Sequence, residues 1–160
     1  MGRLTERLRP LSVIGLDTAV FIYHLEENQT YLELTRELFS GIEMGERMGV
    51  TSVITLMEIN VKPLSLGRQD VAQKYEVLLV NFPNLTIAEI NRDVVRHAAR
   101  LRAKYRIRPP DALQASTSLL YGAQAFVTND RLFERLQDEL DVILLDDFIE
   151  DRSTSINRPK

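Results

Sequence analysis

Strand-length apolar runs alternate with helix-length amphipathic stretches along almost the whole chain, and that alternation restricts the fold more than any other feature. Residues 11–16, 50–54, 85–88, 125–128 and 141–145 read as strands. They are apolar runs rather than alternating ones, as expected when both faces of a sheet are buried. Between them the spacing predicts helices over 19–25, 31–44, 55–61, 71–80, 91–105, 111–121 and 131–136. Asn91 is placed to cap one, Gly122 to stop another, and Pro63 to limit or kink a third. The pattern predicts a single α/β domain over residues 11–150, with a mostly parallel sheet flanked by helices on both faces. Residues 1–10, with Arg3, Arg7 and Arg9, read as a basic leader, and residues 151–160 as a loose polar tail.

Acidic residues recur where strand gives way to helix: Asp17, Glu58, Asp111 and Asp130. In an open parallel sheet the carboxyl ends of the strands are where ligands bind. Each acid also has a purely structural explanation. Asp17 suits an N-cap for the helix at Ala19, and Asp130 one for the helix at Arg131. Thr55-Leu56-Met57-Glu58 matches a capping box, with Thr55 at the N-cap and Glu58 at the third helical position. Asp111 follows Pro109-Pro110, a rigid break, and an acid there complements the macrodipole of the helix it opens. Together, however, four anions on one sheet edge would repel one another. A divalent cation such as Mg²⁺ or Mn²⁺ resolves that conflict, since both favour oxygen ligands, and such ions activate water and stabilise in-line phosphoryl displacement.

The ordered set Leu16-Asp17-Thr18, Thr55-Leu56-Met57-Glu58, Pro110-Asp111-Ala112-Leu113-Gln114-Ala115 and Thr128-Asn129-Asp130-Arg131-Leu132-Phe133 resembles the PIN-domain ribonucleases. It looks most like the VapC-type toxins of bacterial and archaeal toxin–antitoxin pairs, over about residues 11–149. The resemblance implies a five-stranded parallel sheet between helices and a Mg²⁺- or Mn²⁺-dependent endonuclease that cuts RNA. Asp17, Glu58, Asp111 and Asp130 match the family's acidic quartet, Thr128 its small hydroxyl residue before the last acid, and Thr18 the residue beside the first. The last two are carried over as substrate contacts. The resemblance further implies a homodimer and an antitoxin whose peptide lies across the active site. The leader, the tail and Lys62-Pro63 so soon after Glu58 depart from the family's pattern.

An RNA substrate needs cationic surface, and a formal net charge of −3 conceals one. Arg92, Arg96, Arg100, Arg102, Lys104, Arg106 and Arg108 fall within seventeen positions, opposed only by Asp93. Arg92, Arg96 and Arg100 are spaced to share a helix face and to meet a phosphate backbone beside Asp111; a merely solvated face is the plainer alternative. Phe21, Tyr23, Tyr31 and Phe39 read as core or a dimer surface. The absence of cysteine excludes thiolate sites, and having only His24 and His97 argues against a multi-histidine metal site. No segment reads as a signal peptide or a membrane span, so the expected location is the cytoplasm.

Three other readings compete: a PIN-like module that binds RNA or protein without cutting, a housekeeping RNA-processing nuclease, and a phosphoryl-transfer domain with Asp17 as nucleophile. The last needs a second acid beside the first and a lysine late in the sheet. Asp17 is flanked by Leu16 and Thr18, and no lysine lies between Lys104 and Lys160.

Overall fold

The structure, a computed structural model, describes residues 2–149. Five strands form one parallel sheet: β1 (Val13–Leu16), β2 (Met48–Ser52), β3 (Leu85–Ala88), β4 (Ala125–Thr128) and β5 (Asp141–Leu144), in the order β3-β2-β1-β4-β5. The helices are α1 (Arg3–Leu8), α2 (Thr18–Leu25), α3 (Leu32–Glu43), α4 (Ile54–Ser65), α5 (Gln69–Val80), α6 (Arg92–Tyr105) and α7 (Pro109–Leu120). Short 3₁₀ helices follow β4 (Arg131–Leu136) and β5 (Leu145–Phe148). The expected α/β architecture with its five parallel strands is therefore present, with most boundaries shifted by one or two residues.

Strand periodicity divides the core. Ile14 and Leu16 of β1, with Ala125 and Val127 of β4, join Leu38, Phe39 and Leu79 in one apolar cluster built on α1, α2, α3 and α5. Phe126, between those two β4 residues, points the other way and packs with Leu101, Ala115, Phe133 and Leu136 under α6 and α7. Gly15 is required by that second face. A Cβ there would come 2.6 Å from Cβ of Ser118 and 2.8 Å from Phe126, so α7 lies directly on the central strand. Phe21 and Phe39 belong to the core as expected, while Tyr23 stacks on Tyr31 at its edge.

Several local expectations need correction. Residues 3–8 of the leader are a helix, and Leu4 and Leu8 are each only 1% exposed within the first cluster. The arginines disguise it, because the apolar pair at i, i+4 that docks α1 is too short a signal to stand out. Pro109 and Pro110 do not precede α7 but form its first turn, where the missing N–H groups need no partner. Pro63 lies inside α4, which continues to Ser65. The polar tail, residues 151–160, lies outside the described residues.

Removing the Leu8 side chain tests whether α1 belongs to the domain. Leu8→Ala should lower unfolding stability by about 2–5 kcal/mol in a denaturant titration, the range for emptying a buried leucine site. An unchanged midpoint would mean that α1 is not docked.

Candidate active site

The strand order reverses at β1: the chain moves outward through β2 and β3, then returns to lay β4 on the other side. The crevice between the carboxyl ends of β1 and β4 is thus the switch point where this class of sheet binds ligands. Asp17 stands at its floor. Its backbone N–H donates to the Val127 carbonyl (3.0 Å), extending the ladder by one residue. Its Oδ1 accepts the Thr18 backbone N–H (2.9 Å) as the N-cap of α2, and its Oδ2 accepts the Thr128 hydroxyl (2.7 Å). The Thr128 Oγ1 in turn accepts the Asp130 N–H (3.1 Å), and Asp130 Oδ1 caps the following 3₁₀ helix through Leu132 N–H (2.9 Å). The capping roles expected of Asp17 and Asp130 are both present.

Glu58 reaches the same place by a different route from the one its sequence suggested. The N-cap of α4 is Val53, and Thr55 is an interior, fully buried residue, so there is no capping box. The Thr55 hydroxyl instead lies within hydrogen-bonding distance of Thr51 Oγ1 (2.7 Å), which frees Glu58 to accept the Thr18 hydroxyl at Oε1 (2.8 Å). Tertiary partners outcompete the local cap here because Thr55 faces the protein interior and Glu58 faces the crevice. Asp111 is the third residue of α7. It accepts Arg108 Nε at Oδ2 (2.9 Å), and Arg108 Nη2 stands 3.5 Å from Asp130 Oδ2.

Electrostatics link the four acids. Burial is the main force on Asp17 and pushes its pKa up to about 6, opposed by the hydrogen bonds from Thr128 and Thr18 and reinforced by the charges of Asp111 and Glu58. Burial also raises Asp111, against the hydrogen bond and charge of Arg108, with Asp130 adding to the rise. Mutual repulsion is therefore real, but desolvation is the larger penalty on these two groups.

The donor set is all oxygen and anionic, which suits a hard divalent ion such as Mg²⁺ or Mn²⁺. Among the described residues, no three acidic or histidine side chains converge closely enough to hold an ion as they stand. Arg108 supplies the positive charge between Asp111 and Asp130. The residues thus fit a metal in chemistry, and Arg108 competes with it for two of them.

The remaining candidates fall into two groups. Thr18 and Thr128, carried over as substrate contacts, are buried with their hydroxyl protons directed at Glu58 and Asp17, whose carboxylates they orient. Arg92, Arg96 and Arg100 lie exposed along α6, Arg96 paired with Asp93 (2.9 Å) and Arg100 with Glu139 (2.7 Å). None of these three pairs with the carboxylates; from the basic run, Arg108 does. Sequence reading gave Arg108 no special place in that run and passed over Gln114. Gln114 has a legible signal: a polar residue one turn after Asp111, on the side of α7 that is otherwise buried.

Asp17 has a folded pKa above its unfolded one, so its stabilising effect belongs to the protonated form and is lost as pH rises from about 4 through about 6. Asp17→Asn should therefore raise stability at pH 7.5 by about 2–3 kcal/mol. The gain should disappear below about pH 4, read as melting temperature against pH. Arg108→Ala should tighten Mn²⁺ binding measured by calorimetry several-fold, whereas weaker binding would make Arg108 a support of the site and not a competitor.

Comparison with known proteins follows the same lines. A sequence model of the PIN domain matches residues 14–139. No curated protein matches the chain. Among solved structures, it is similar to VapBC2 from Rickettsia felis bound to a DNA fragment from their promoter, with TM-score 0.63, 19% identity, and coverage of 82% of this chain and 98% of that one. DNA-bound VapBC from Salmonella typhimurium gives TM-score 0.61, 23% identity and coverage of 84% and 98%. FitAcB from Neisseria gonorrhoeae gives TM-score 0.61, 17% identity and coverage of 83% and 97%.

Proposed function

The chain belongs to the PIN-domain family, and on that premise we propose that it is a divalent-metal-dependent endoribonuclease, the toxin of a toxin–antitoxin pair. The observation that carries this reading is the Asp17 carboxylate, buried at the switch point, raised to about 6 and coupled to two other acids. Such a group is unfavourable to the fold and is explained by what it holds.

Asp17, Glu58, Asp111 and Asp130 would hold Mg²⁺ or Mn²⁺, which supplies positive charge for phosphodiester hydrolysis and activates water. The chain's own residues set the conditions for that step. Thr128 and Thr18 fix the two oxygens of Asp17, and Thr18 also fixes Glu58. Asp17 must lose its proton to take the cation, so ion binding should weaken as pH falls. Arg108, released from Asp111 and Asp130, is placed to meet a phosphate. Arg92, Arg96 and Arg100 extend a cationic track for the RNA backbone along α6. The products would carry 5′-phosphate and 3′-hydroxyl ends.

The likeness to VapBC structures supports an antitoxin as protein partner; a homodimeric state belongs to the same proposal. Among the described residues no helix is long and apolar enough to cross a membrane, in keeping with a cytoplasmic place of action.

The test is cleavage of RNA by the purified protein with Mn²⁺. Asp17→Asn and Asp111→Asn should each reduce the rate by at least about 100-fold. Variants that cut like the parent would overturn the site assignment. Calorimetry showing no ion bound at millimolar Mg²⁺ would favour a silent RNA- or protein-binding module instead.

A further inference from the structure

Beneath the carboxylates lies a buried chain of polar side chains whose proton directions follow by elimination. Gln114 is 2% exposed, and every polar atom of its amide has a partner. The Ser52 backbone N–H can only donate, and it faces Oε1 of Gln114 at 3.3 Å. The other end of the amide is therefore the NH₂ group, which donates to Thr18 Oγ1 (3.1 Å) and Thr55 Oγ1 (2.8 Å).

The hydroxyls are then fixed in turn. Thr51 donates its single proton to the Leu16 carbonyl (3.0 Å), so Thr55 must donate to Thr51 across 2.7 Å. Thr55 has then no proton left for Thr18, although their oxygens lie 3.1 Å apart. Thr18 already accepts from Gln114, and its own proton goes to Glu58 Oε1 at 2.8 Å. The amide thus holds the Thr18 and Thr55 oxygens in place as acceptors, and the Thr18 proton goes to the nearer, anionic Glu58 (2.8 Å) and not to Thr55 (3.1 Å).

We propose that Gln114 is a positioning residue of the metal site, fixing the Thr18 hydroxyl as a donor that orients Glu58 for ion binding. The proposal rests on the metal-dependent reading given above. Without the amide, Thr18 can turn its proton to Thr55, whose own proton stays on Thr51, and Glu58 loses its fixed partner. A residue that orients a metal ligand in this way commonly changes ion affinity without touching the ion.

Gln114→Met keeps the volume and removes the donors. It should weaken Mn²⁺ binding by roughly tenfold in calorimetry, at the low end for losing such a residue. Thr18→Val should do the same, and the double variant should be no weaker than Thr18→Val alone, because both act through one contact. Thr51→Val removes a hydroxyl from the same buried chain but leaves the Thr18–Glu58 contact. It should lower the melting temperature while keeping Mn²⁺ affinity. If affinity instead follows melting temperature across all four variants, the role is structural and the proposal fails.

A second readout needs no metal. The Thr18 hydroxyl proton should be protected and visible by NMR in the metal-free parent and exchange rapidly in Gln114→Met. An unchanged proton would overturn the proposal. A parent that binds no Mn²⁺ at all would sink the nuclease reading, and the hydroxyl proton would still decide what Gln114 does.

Discussion

The hydrogen bond from Thr128 to Asp17 joins the two strands at the point where the sheet reverses direction, and the site depends on it. It ties the end of β4 to the end of β1 and fixes one oxygen of the most buried acid. The same hydroxyl oxygen receives the Asp130 N–H, so one threonine sets the turn that carries the last acid and the orientation of the first. A fully buried side chain with both its donor and acceptor capacity used is well suited to this, because an unpaired alternative would be costly.

Capping leaves room for the proposed ion binding, because a carboxylate has more acceptor sites than one cap needs. Asp17 gives an oxygen to the start of α2, and Asp130 gives one to the 3₁₀ helix after β4, without exhausting either group. The helix starts that draw acids to this edge therefore also hold them rigid. The other two acids cap nothing: Glu58 is oriented by its contact with Thr18 and Asp111 by Arg108.

The pattern of apolar runs made the sheet legible, and four acids at strand-to-helix boundaries made the site legible, since both follow from periodicity and position. What remained hidden depends on partners remote in the chain. Thr55-x-x-Glu58 has the local form of a capping box, yet Thr51 and Gln114 claim the hydroxyl. Leu4 and Leu8 sit among arginines in a stretch too short for a periodic signal, yet both reach the core. Thr18 and Thr128 look like polar groups beside a site, and only burial shows that they serve its carboxylates. Arg108 is one arginine among several until Pro109-Pro110 sets it, as the residue before α7, against two acids.

The site has an inner and an outer part, and each has its own competitor for a cation. At the buried inner acid the competitor is the proton, because desolvation lifts Asp17 to about 6. At the outer pair it is the Arg108 guanidinium, 66% exposed and able to swing away at little cost. A cation entering the crevice must therefore displace a side chain before it meets a group whose charge depends on pH. Burial makes the inner carboxylate selective, since only a well-placed cation repays its ionisation. The exposure of Arg108 makes the outer pair permissive, since its guanidinium can leave into water. Polyanionic substrate and divalent ion would then favour one another: the ion releases Arg108, and Arg108 is left facing the phosphate.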